Sequence, residues 1–424
     1  MNNNIVLPEI LSPAGNFEKM KAAERFGADA VYLAGREFGM RSAADNFSVG
    51  ELMDAVEYMH LRGKKVYLTV NTLPRGDEYP RLREFLSDIS GFGIDGFICA
   101  DLGVIALIKE LIPDGEIHIS TQASICSPAA AKAYCALGAR RLVLARELSL
   151  KEIKDIRDAI PDDVDLECFV HGSMCVSWSG RCMLSNMLVG RDANRGACAQ
   201  PCRWNYTVYE EKRPDTPIPI EENALGTFIM SSKDMCMIEH VGELAEAGIT
   251  SFKIEGRIKS VYYTAVVTNA YRMALNALSL HIKAGGKASD FRPDPLILNE
   301  LMSVSHREYC TGFYFDSPTD NPQLVSVPGY VRDKAYLAVA GEQSPDDGSD
   351  GSLLYSFTQR NKFSVGDRAE LLTPGRPGRA FTVTEIYDEE GNRVESAPHP
   401  LQKIRVSVPF RVLEGDILRA GDPD

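Results

Sequence analysis

The sequence predicts an α/β fold, a TIM-like (β/α)8 barrel with a cysteine-rich insertion, followed by a small all-β domain. One observation is a repeated unit of short apolar strand, turn and amphipathic helix, found eight times in about 280 residues. A second is that no G-x-G-x-x-G motif follows the first strand, which disfavours an open dinucleotide-binding sheet. A third is the pattern from Tyr330 onward, where short alternating strands and turn residues predict a small antiparallel barrel.

Eight segments have the length and apolar content of buried parallel strands. They are Glu9–Pro13, Ala30–Ala34, Lys65–Val70, Gly96–Ala100, Ile117–Thr121, Arg141–Leu144, Asp165–Val170 and Ser251–Glu255. Helices fill the intervals, and glycines after their apolar periodicity predict where helices end. These glycines are Gly27, Gly63, Gly93, Gly138 and Gly248. The predicted domains are residues 1–284 for the barrel, 285–329 for a linker with a short helix, and 330–424 for the β domain.

Polar residues directly follow several of the apolar strands. In a parallel barrel these positions form the catalytic face, so they are candidates for catalysis or binding. They include Arg36, Asn71, Gln122 and His171, and the group Lys253, Glu255 and Arg257. The last three alternate along the eighth strand and are expected to share one face. Buried charges need partners, so this group is either an anion or substrate site or a structural ion network.

The stretch Glu167–Trp204 has the spacing C-x6-C-x6-C-x15-C-x3-C among glycines and arginines. Thiolates in such surroundings suit a soft metal or an iron–sulfur cluster. The alternatives are a disulfide network, which needs an oxidising compartment, and inert core thiols. The absence of a C-x2-C pair disfavours zinc. The stretch opens an insertion at about residues 168–232, which runs from strand seven to a helix predicted at Lys233–Ala247.

The composition indicates a protein of the cytoplasm without a membrane partner. No signal peptide and no membrane-length apolar run is recognised, and the many unpatterned cysteines suit a reducing compartment. The net charge of −13 argues against bulk adhesion to nucleic acid, although a local basic face remains compatible with it. Within the insertion, Trp204–Glu211 is expected to form a hairpin with Gly226–Ser231.

Several motifs resemble the collagenase-like peptidase family U32. They are ILSPAGNFEKMKAAERFGADAVYLAG, GMRSAADNF, FVHGSMCVSWSGRCMLS, NRGACAQPCRW, SSKDMCMIEH, SFKIEGRIKSVYY and SVSHREYCTGFYF. The resemblance covers nearly the whole chain and implies a TIM-like barrel with a [4Fe–4S] cluster. It further implies RNA modification, namely 5-hydroxylation of the tRNA wobble uridine with prephenate as co-substrate. Family members also hydroxylate a ribosomal RNA cytidine or act as iron–sulfur pairs on ubiquinone, so a homologous partner chain is a further expectation.

The resemblance assigns Cys175, Cys182 and Cys198 as cluster ligands, with Cys236 or Cys202 as the fourth. Cys236 is preferred because the amino terminus of the predicted helix would lower the pKa of its thiol. Cys202 is the alternate ligand.

Prephenate, a small dicarboxylate, is expected near four cations, because guanidinium groups in particular pair well with carboxylates. They are Lys253, Arg36, Arg41 and Arg257. Asn71 and Gln122 would also bind substrate, and Lys253, Glu255, Arg257 and His171 are the proposed catalytic residues.

An unpaired RNA base is expected to be stacked and clamped by the insertion. The residues are Trp178, Trp204, Arg181 and Arg203. Two other functions stay open. One is a collagenase-like peptidase built from His171, Glu147 and Glu255, although the chain lacks the H-E-x-x-H and G-x-S-x-G motifs. The other is a non-catalytic iron–sulfur partner protein.

Overall fold

A computed structural model describes residues 5–40, 45–174, 182–193, 196–204, 222–223, 226–227, 233–315, 334–342, 346–347 and 353–422. Its first half forms a closed parallel barrel of strands β1–β7 and β11, in which β11 pairs with both β1 and β7. The strands up to Cys310 are β1 (Glu9–Pro13), β2 (Ala30–Ala34), β3 (Lys65–Thr69), β4 (Gly96–Cys99), β5 (Ile117–Ile119), β6 (Ala139–Val143), β7 (Asp165–Ser173), β8 (Glu222–Asn223), β9 (Gly226–Thr227), β10 (Asp234–Cys236), β11 (Ser251–Ile254) and β12 (Tyr309–Cys310). The predicted (β/α)8 architecture is confirmed.

Helices surround the barrel, and several of them begin at a polar side chain that caps the first turn. They are α1 (Phe17–Arg25), α2 (Val49–His60), α3 (Tyr79–Asp88), α4 (Leu102–Leu111), α5 (Pro128–Ala136), α6 (Leu150–Arg157), α7 (Leu184–Val189), α8 (Val241–Glu246), α9 (Val261–Lys283) and α10 (Pro295–Met302). Ser48 and Ser149 each form a capping box that fixes the start of α2 and α6. All five glycines predicted to end helices have positive φ, a conformation that side chains with a Cβ rarely adopt.

Two apolar layers stabilise the barrel. The larger one lies between the strands and the helices and includes most of the apolar face of α9, the longest helix described. A small inner cluster fills the barrel itself, and its members are Leu11, Ala30, Tyr32, Tyr67 and Ile98. The barrel interior is therefore a packed core, and the binding site expected of such a barrel lies at the carboxyl-terminal end of its strands.

The C-terminal part is a nine-stranded antiparallel sheet with its own core, curved into a half-barrel. Its strands are β13 (Tyr336–Ala340), β14 (Asp346–Asp347), β15 (Leu353–Gln359), β16 (Phe363–Ser364), β17 (Arg368–Leu372), β18 (Arg379–Thr382), β19 (Ile386–Tyr387), β20 (Arg393–Val394), β21 (Ser396–Ala397), β22 (Lys403–Val408) and β23 (Ile417–Ala420). Strands β16 and β21 form a separate pair.

Polar contacts join this sheet to the barrel helices. Arg419 of β23 is 2% exposed and pairs with Glu370 at 2.7 Å and with Glu300 of α10 at 2.6 Å. Asn269 of α9 bonds to the backbone of Gly375 at 2.7 Å. Since these groups are largely withdrawn from water, the contacts hold the sheet in one position against α9 and α10.

The insertion differs from expectation at its end. Residues predicted as the start of a helix at Lys233 form β10, and the helix itself, α8, begins only at Val241. Strand β7 continues past Val170 to Ser173 and pairs antiparallel with β10, which sets Cys236 opposite His171. The helical prediction for Cys236 was wrong because the extended β7 offers its backbone hydrogen bonds to this segment.

Other expectations for the insertion fall largely outside the described residues. Strand β9 pairs with β8, whereas the expected hairpin partner Trp204–Glu211 is described only at Trp204.

Candidate functional site

The amino-terminal end of the barrel contains a buried ion network. Arg141 pairs with Glu9, with Asp165 at 2.9 Å and with Glu167 at 3.2 Å. Lys253 Nζ lies 2.5 Å from the other Glu167 oxygen. Burial acts to raise the pKa of Glu167, but the charges of Lys253 and Arg141 outweigh it and hold the pKa below its ordinary value. Lys253 therefore belongs to a structural network, one of the two roles expected for it.

Arg257 lies at the opposite, carboxyl-terminal mouth. Strand β11 ends at Ile254, so Lys253, Glu255 and Arg257 do not form the single strand face that was expected. Arg257 is 3% exposed, and its Nη1 donates to Thr69 Oγ1 at the end of β3 over 3.0 Å. A Cβ on Gly15 would stand 2.3 Å from the Arg257 carbonyl oxygen, so glycine lets the two loops pack together.

Gln122 adds a buried amide to the same mouth, because it follows β5. Its Oε1 accepts from Ser120 Oγ at 3.2 Å, and its Nε2 has no hydrogen-bond partner among the described residues. A buried donor without a partner is a cost that a bound acceptor would remove. Asn71, after β3, instead accepts from the backbone N–H of Met40 at 3.0 Å and so supports a loop.

Arg36 points away from this mouth. Its side chain is 67% exposed and lies 3.6 Å from Glu51 of α2. It lines a cavity of about 360 Å³ together with Arg81, Phe47 and Phe85. Arg36 and Arg257 therefore do not converge, contrary to the expectation of one arginine cluster. Arg41 lies outside the described residues.

His171 occupies a buried aromatic cluster. The register of β7 against β11 shifts here, since Lys253 pairs with Phe169 and the next residue, Ile254, pairs with His171. The extra residue in β7 turns His171 toward α9, where its ring lies 5.7 Å from Tyr271 and 5.3 Å from Tyr309. Burial, with the nearby His306 and Lys259 charges, lowers the pKa of His171 to about 3. The imidazole is thus neutral, and its Nδ1 has no partner among the described groups.

Three tyrosines complete this cluster, although no sequence motif marks them as functional. Tyr263 and Tyr271 are spaced eight residues apart on α9, and a helix brings such positions to nearly one face. Tyr309 comes from the compact aromatic stretch that follows α10. In the sequence, the eight-residue spacing of Tyr263 and Tyr271 was the signal available for this cluster. The β-bulge that turns His171 toward them has no sequence signature.

Three cysteines of the insertion are described, each half-buried: Cys182, Cys198 and Cys202. The Cys198 sulfur accepts a hydrogen bond from the backbone N–H of Gln200 at 3.3 Å. Ser185 of α7 is buried and its Oγ accepts from Ala199 N–H at 2.9 Å, which fixes the chain beside Cys198. The cysteines described all carry thiols and not disulfides.

Cys236 is half-buried at the end of β10, opposite His171 of β7. Burial raises the pKa of its thiol to about 12, and hydrogen bonds from Ile238 N–H and the Tyr271 hydroxyl oppose that rise. The pKa-lowering helix terminus expected for this thiol is absent, because Cys236 ends a strand. Donors to sulfur at Cys198 and Cys236 are nonetheless the kind that iron–sulfur ligands receive.

Part of the expected site cannot be placed. Cys175, Trp178 and Arg181 lie outside the described residues, and only the backbone of Arg203 is described. Within the described ranges, no three Cys, His, Asp or Glu side chains are grouped to hold a metal ion. Cysteine sulfurs are the donors that iron–sulfur clusters use, but the described cysteines are not gathered around a common point.

Comparison with known families covers most of the chain. Residues 15–323 match the model of peptidase family U32, and residues 336–419 match its C-terminal domain. The chain belongs to peptidase family U32. The resemblance stated from the motifs is thereby confirmed.

Relatives within family U32 have several names. A Bacillus subtilis (strain 168) protein named tRNA hydroxylation protein P1 is 35% identical, covering 98% of this chain and 95% of the relative. The Escherichia coli (strain K12) 23S rRNA 5-hydroxycytidine C2501 synthase is 34% identical over 76% of this chain and 48% of its own length. A Porphyromonas gingivalis protein named Collagenase is 34% identical, covering 78% of each chain. Among the helices described for this U32 protein, none has the length and apolarity to cross a membrane.

Proposed function

We propose that this U32 protein is an RNA hydroxylase that places a hydroxyl group on C5 of the tRNA wobble uridine. In this proposal the reaction needs no molecular oxygen, prephenate is the hydroxyl source and a [4Fe–4S] cluster is the cofactor. Support comes from relatives named for tRNA hydroxylation and for 5-hydroxycytidine synthesis.

The observation that carries the proposal is the pairing of β10 with the extended end of β7. It brings Cys236 alongside the strand from which the cysteine insertion departs, at the carboxyl-terminal end of the barrel. The catalytic face of a parallel barrel lies at that end. Cys236 and the mouth that holds Arg257 and Gln122 therefore stand at the same end of the barrel, which supports the proposal.

The cluster would be held by Cys175, Cys182, Cys198 and Cys236, with Cys202 as the alternate fourth ligand. Replacing a ring C–H by C–OH with oxygen supplied as hydroxide releases two electrons and a proton. These two electrons need an acceptor outside this chain, such as a redox protein, and a bound iron–sulfur cluster would pass them to it one at a time.

The barrel mouth is the proposed site for the small dicarboxylate. Arg257 is charged at all accessible pH values and buried beside Thr69, so it can pair with a carboxylate in a region of low dielectric. The Nε2 of Gln122 would donate to an oxygen of the same ligand. Arg36, exposed on the outer rim, is better placed for an RNA phosphate than for prephenate.

The insertion is the proposed contact for the unpaired base. Trp204 is 40% exposed directly after the turn Pro201–Arg203, and an exposed indole provides a stacking surface. The exposed side chains of Met187 and Leu188 on α7 add apolar surface to this insertion. Single-stranded RNA is recognised by such stacking more than by net charge.

Mass spectrometry of tRNA nucleosides from a deletion strain tests the function. Loss of 5-hydroxyuridine derivatives, restored by the wild-type gene and not by an Arg257→Gln variant, is expected. Intact 5-hydroxyuridine together with loss of a ribosomal hydroxycytidine would redirect the proposal to ribosomal RNA. Turnover by the purified chain alone, with prephenate and without oxygen, would rule out a purely non-catalytic partner role and show that no homologous partner chain is obligatory.

Peptidase activity is the second candidate, because one relative is named Collagenase. The geometry gives it little support, since His171 is 1% exposed and faces Tyr271 and Tyr309, away from the mouth. Gelatin hydrolysis that persists through repurification and is abolished by Glu255→Ala would establish it. No hydrolysis by protein that carries its cluster would remove this candidate.

A further inference from the structure

Lys19 stands in the first turn of α1, beside the loop that carries Arg257. Asn16 caps this turn, because its Oδ1 accepts from the Lys19 backbone N–H over 2.9 Å. The Lys19 ammonium donates to the Arg257 backbone carbonyl over 3.3 Å. A Cβ at Gly15 would lie 3.3 Å from Lys19 Nζ and 2.3 Å from that carbonyl oxygen, so the glycine leaves room for the contact. The amine is therefore tied to the backbone of a residue that lines the barrel mouth.

This contact brings two cationic side chains to one junction of loops. Lys19 is half-buried, and Arg257 is 3% exposed. Burial lowers the pKa of the Lys19 ammonium, and the positive charge of Arg257 acts in the same direction. The carboxylates of Asp45 and Glu18 oppose that fall without cancelling it. A bound anion would stabilise the charged amine here, because an opposite charge at close range favours the ionised form.

The Lys19 ammonium also has N–H donors that the fold does not use. It carries three, and in the described part of the chain its side chain makes one hydrogen bond, to the Arg257 carbonyl. Two other cations expected for the dicarboxylate are engaged elsewhere, Lys253 with Glu167 and Arg36 on the outer rim. Arg257 can pair with one carboxylate, which leaves the second carboxylate of such a ligand to be neutralised. Lys19 stands next to Arg257 and has donors for it.

We propose that Lys19 is a specificity-determining residue, which binds the second carboxylate of the dicarboxylate whose first carboxylate pairs with Arg257. The inference rests on the proposed function, because it takes prephenate as the ligand of the mouth. Prephenate has one carboxylate on its ring and one on its keto-acid side chain. The related compound 4-hydroxyphenylpyruvate keeps the keto acid and the hydroxyl group but lacks the ring carboxylate. Lys19 would therefore let the site distinguish the dicarboxylate from this monocarboxylate.

Lys21, two residues further along the same helix, provides a matched control. It is exposed, and its Nζ lies over the rings of Phe17 and Tyr58, 5.8 Å and 5.4 Å from their centroids. Lys19→Met and Lys21→Met thus remove the same charge from the same helix, and only the first removes it beside Arg257. Lys19→Arg keeps a cation at the position.

Isothermal titration calorimetry on the full chain, purified without oxygen, measures the affinity of each protein for prephenate and for 4-hydroxyphenylpyruvate. Wild type and K21M should bind prephenate more tightly than the monocarboxylate. K19M should lose about 10- to 100-fold in affinity for prephenate, the effect of one charge-assisted hydrogen bond, and should bind the monocarboxylate as wild type does. K19R should keep most of the preference for prephenate.

A second measurement uses wild type and does not depend on the folding of K19M. Acetic anhydride acylates an amine in its uncharged form, so a carboxylate that keeps Lys19 charged and covers it should slow the labelling. Mass spectrometry of peptides from the labelled protein should show that prephenate protects Lys19 and leaves Lys21 unprotected. 4-Hydroxyphenylpyruvate should protect Lys19 less than prephenate does.

The results separate a failure of this inference from a failure of the proposed function. Equal weakening of both ligands in K19M, without protection of Lys19, would mean that the amine only supports the Arg257 loop. Unchanged prephenate affinity in K19M would likewise overturn the role of Lys19, and both results leave the proposed function standing. A wild-type protein that binds no prephenate overturns the inference together with the co-substrate of the proposed function.

Discussion

Lys253 was expected to be catalytic, whereas in the structure it belongs to a stabilising ion network. The substitution Lys253→Met tests which of these two roles it has. The substitution keeps the length and apolar stem of the side chain and removes its charge. Among the ion pairs of the described residues, Glu167, which is 0% exposed, then keeps the one with Arg141 at 3.2 Å. Arg141 already serves Glu9 and Asp165, so one cation is left for three carboxylates.

The expected loss is large because a buried carboxylate loses its nearest counter-charge. Removing one partner of a buried ion pair costs about 3–5 kcal/mol in proteins of this kind. The cation–π contact of Lys253 with Tyr32, at 4.5 Å, adds a further contribution of about 1 kcal/mol. We therefore expect K253M to lower the free energy of unfolding by about 4–6 kcal/mol.

Glu167→Gln and the double variant K253M/E167Q complete a double-mutant cycle. If the pair stabilises the barrel, the double variant should lose less than the sum of K253M and E167Q, by about 0.5–3 kcal/mol. Urea unfolding followed by circular dichroism measures all four proteins. Additive losses would contradict a direct pair.

The pH at which the protein unfolds in acid tests the Glu167–Lys253 ion pair independently. The folded pKa of Glu167 is depressed, so its stabilisation is present above the ordinary carboxyl pKa of about 4.3 and is lost as the pH falls through the lower, folded value. K253M should raise that folded pKa and shift acid unfolding to higher pH. Loss of activity in K253M with unchanged urea and acid stability would refute the structural assignment and make Lys253 a substrate group.

Further substitutions test the interface, the mouth and the ligands. Arg419→Met should cost about 3–5 kcal/mol and loosen the β domain from the barrel, seen as faster hydrogen exchange at their interface, because buried Glu300 loses its paired cation while Glu370 keeps its pair with Lys334. Gly15→Ala should cost about 1–3 kcal/mol in thermal unfolding and lower activity, since the new methyl group displaces the Arg257 loop. Cys236→Ser should strip iron from anaerobically purified protein, and the reverse pattern, with Cys202→Ser alone losing iron, would contradict the ligand assignment.

The barrel was predictable because its strands are short, apolar and regularly spaced. All eight predicted strands are present, with ends shifted by a few residues, as at β6, which begins at Ala139, and at β7, which ends at Ser173. Glycine positions marked helix ends reliably, because positive φ is a local requirement that few other residues meet. These features depend on the residues near each element and not on distant contacts.

The site was less predictable because it depends on register and on pairing between distant segments. Cys236 looked helical from its neighbours, and only the extension of β7 turned that segment into a strand. Arg36 follows a strand as Arg257 does, yet its pairing with Glu51 directs it to the rim. The sequence shows that such residues stand near the catalytic face but not which way each side chain turns.

The register shift between β7 and β11 explains why this strand pair both stabilises the barrel and positions Cys236. On the amino-terminal side of the shift, Glu167 of β7 and Lys253 of β11 form a buried ion pair that stabilises the fold. On the carboxyl-terminal side of the shift, the extra residue in β7 turns His171 toward the helices, and the end of β7 pairs with β10. Cys236 is thereby attached to a strand that the ion network already fixes. As the proposed cluster ligand, Cys236 would need no ordering when metal binds, which would favour a cluster site of defined geometry.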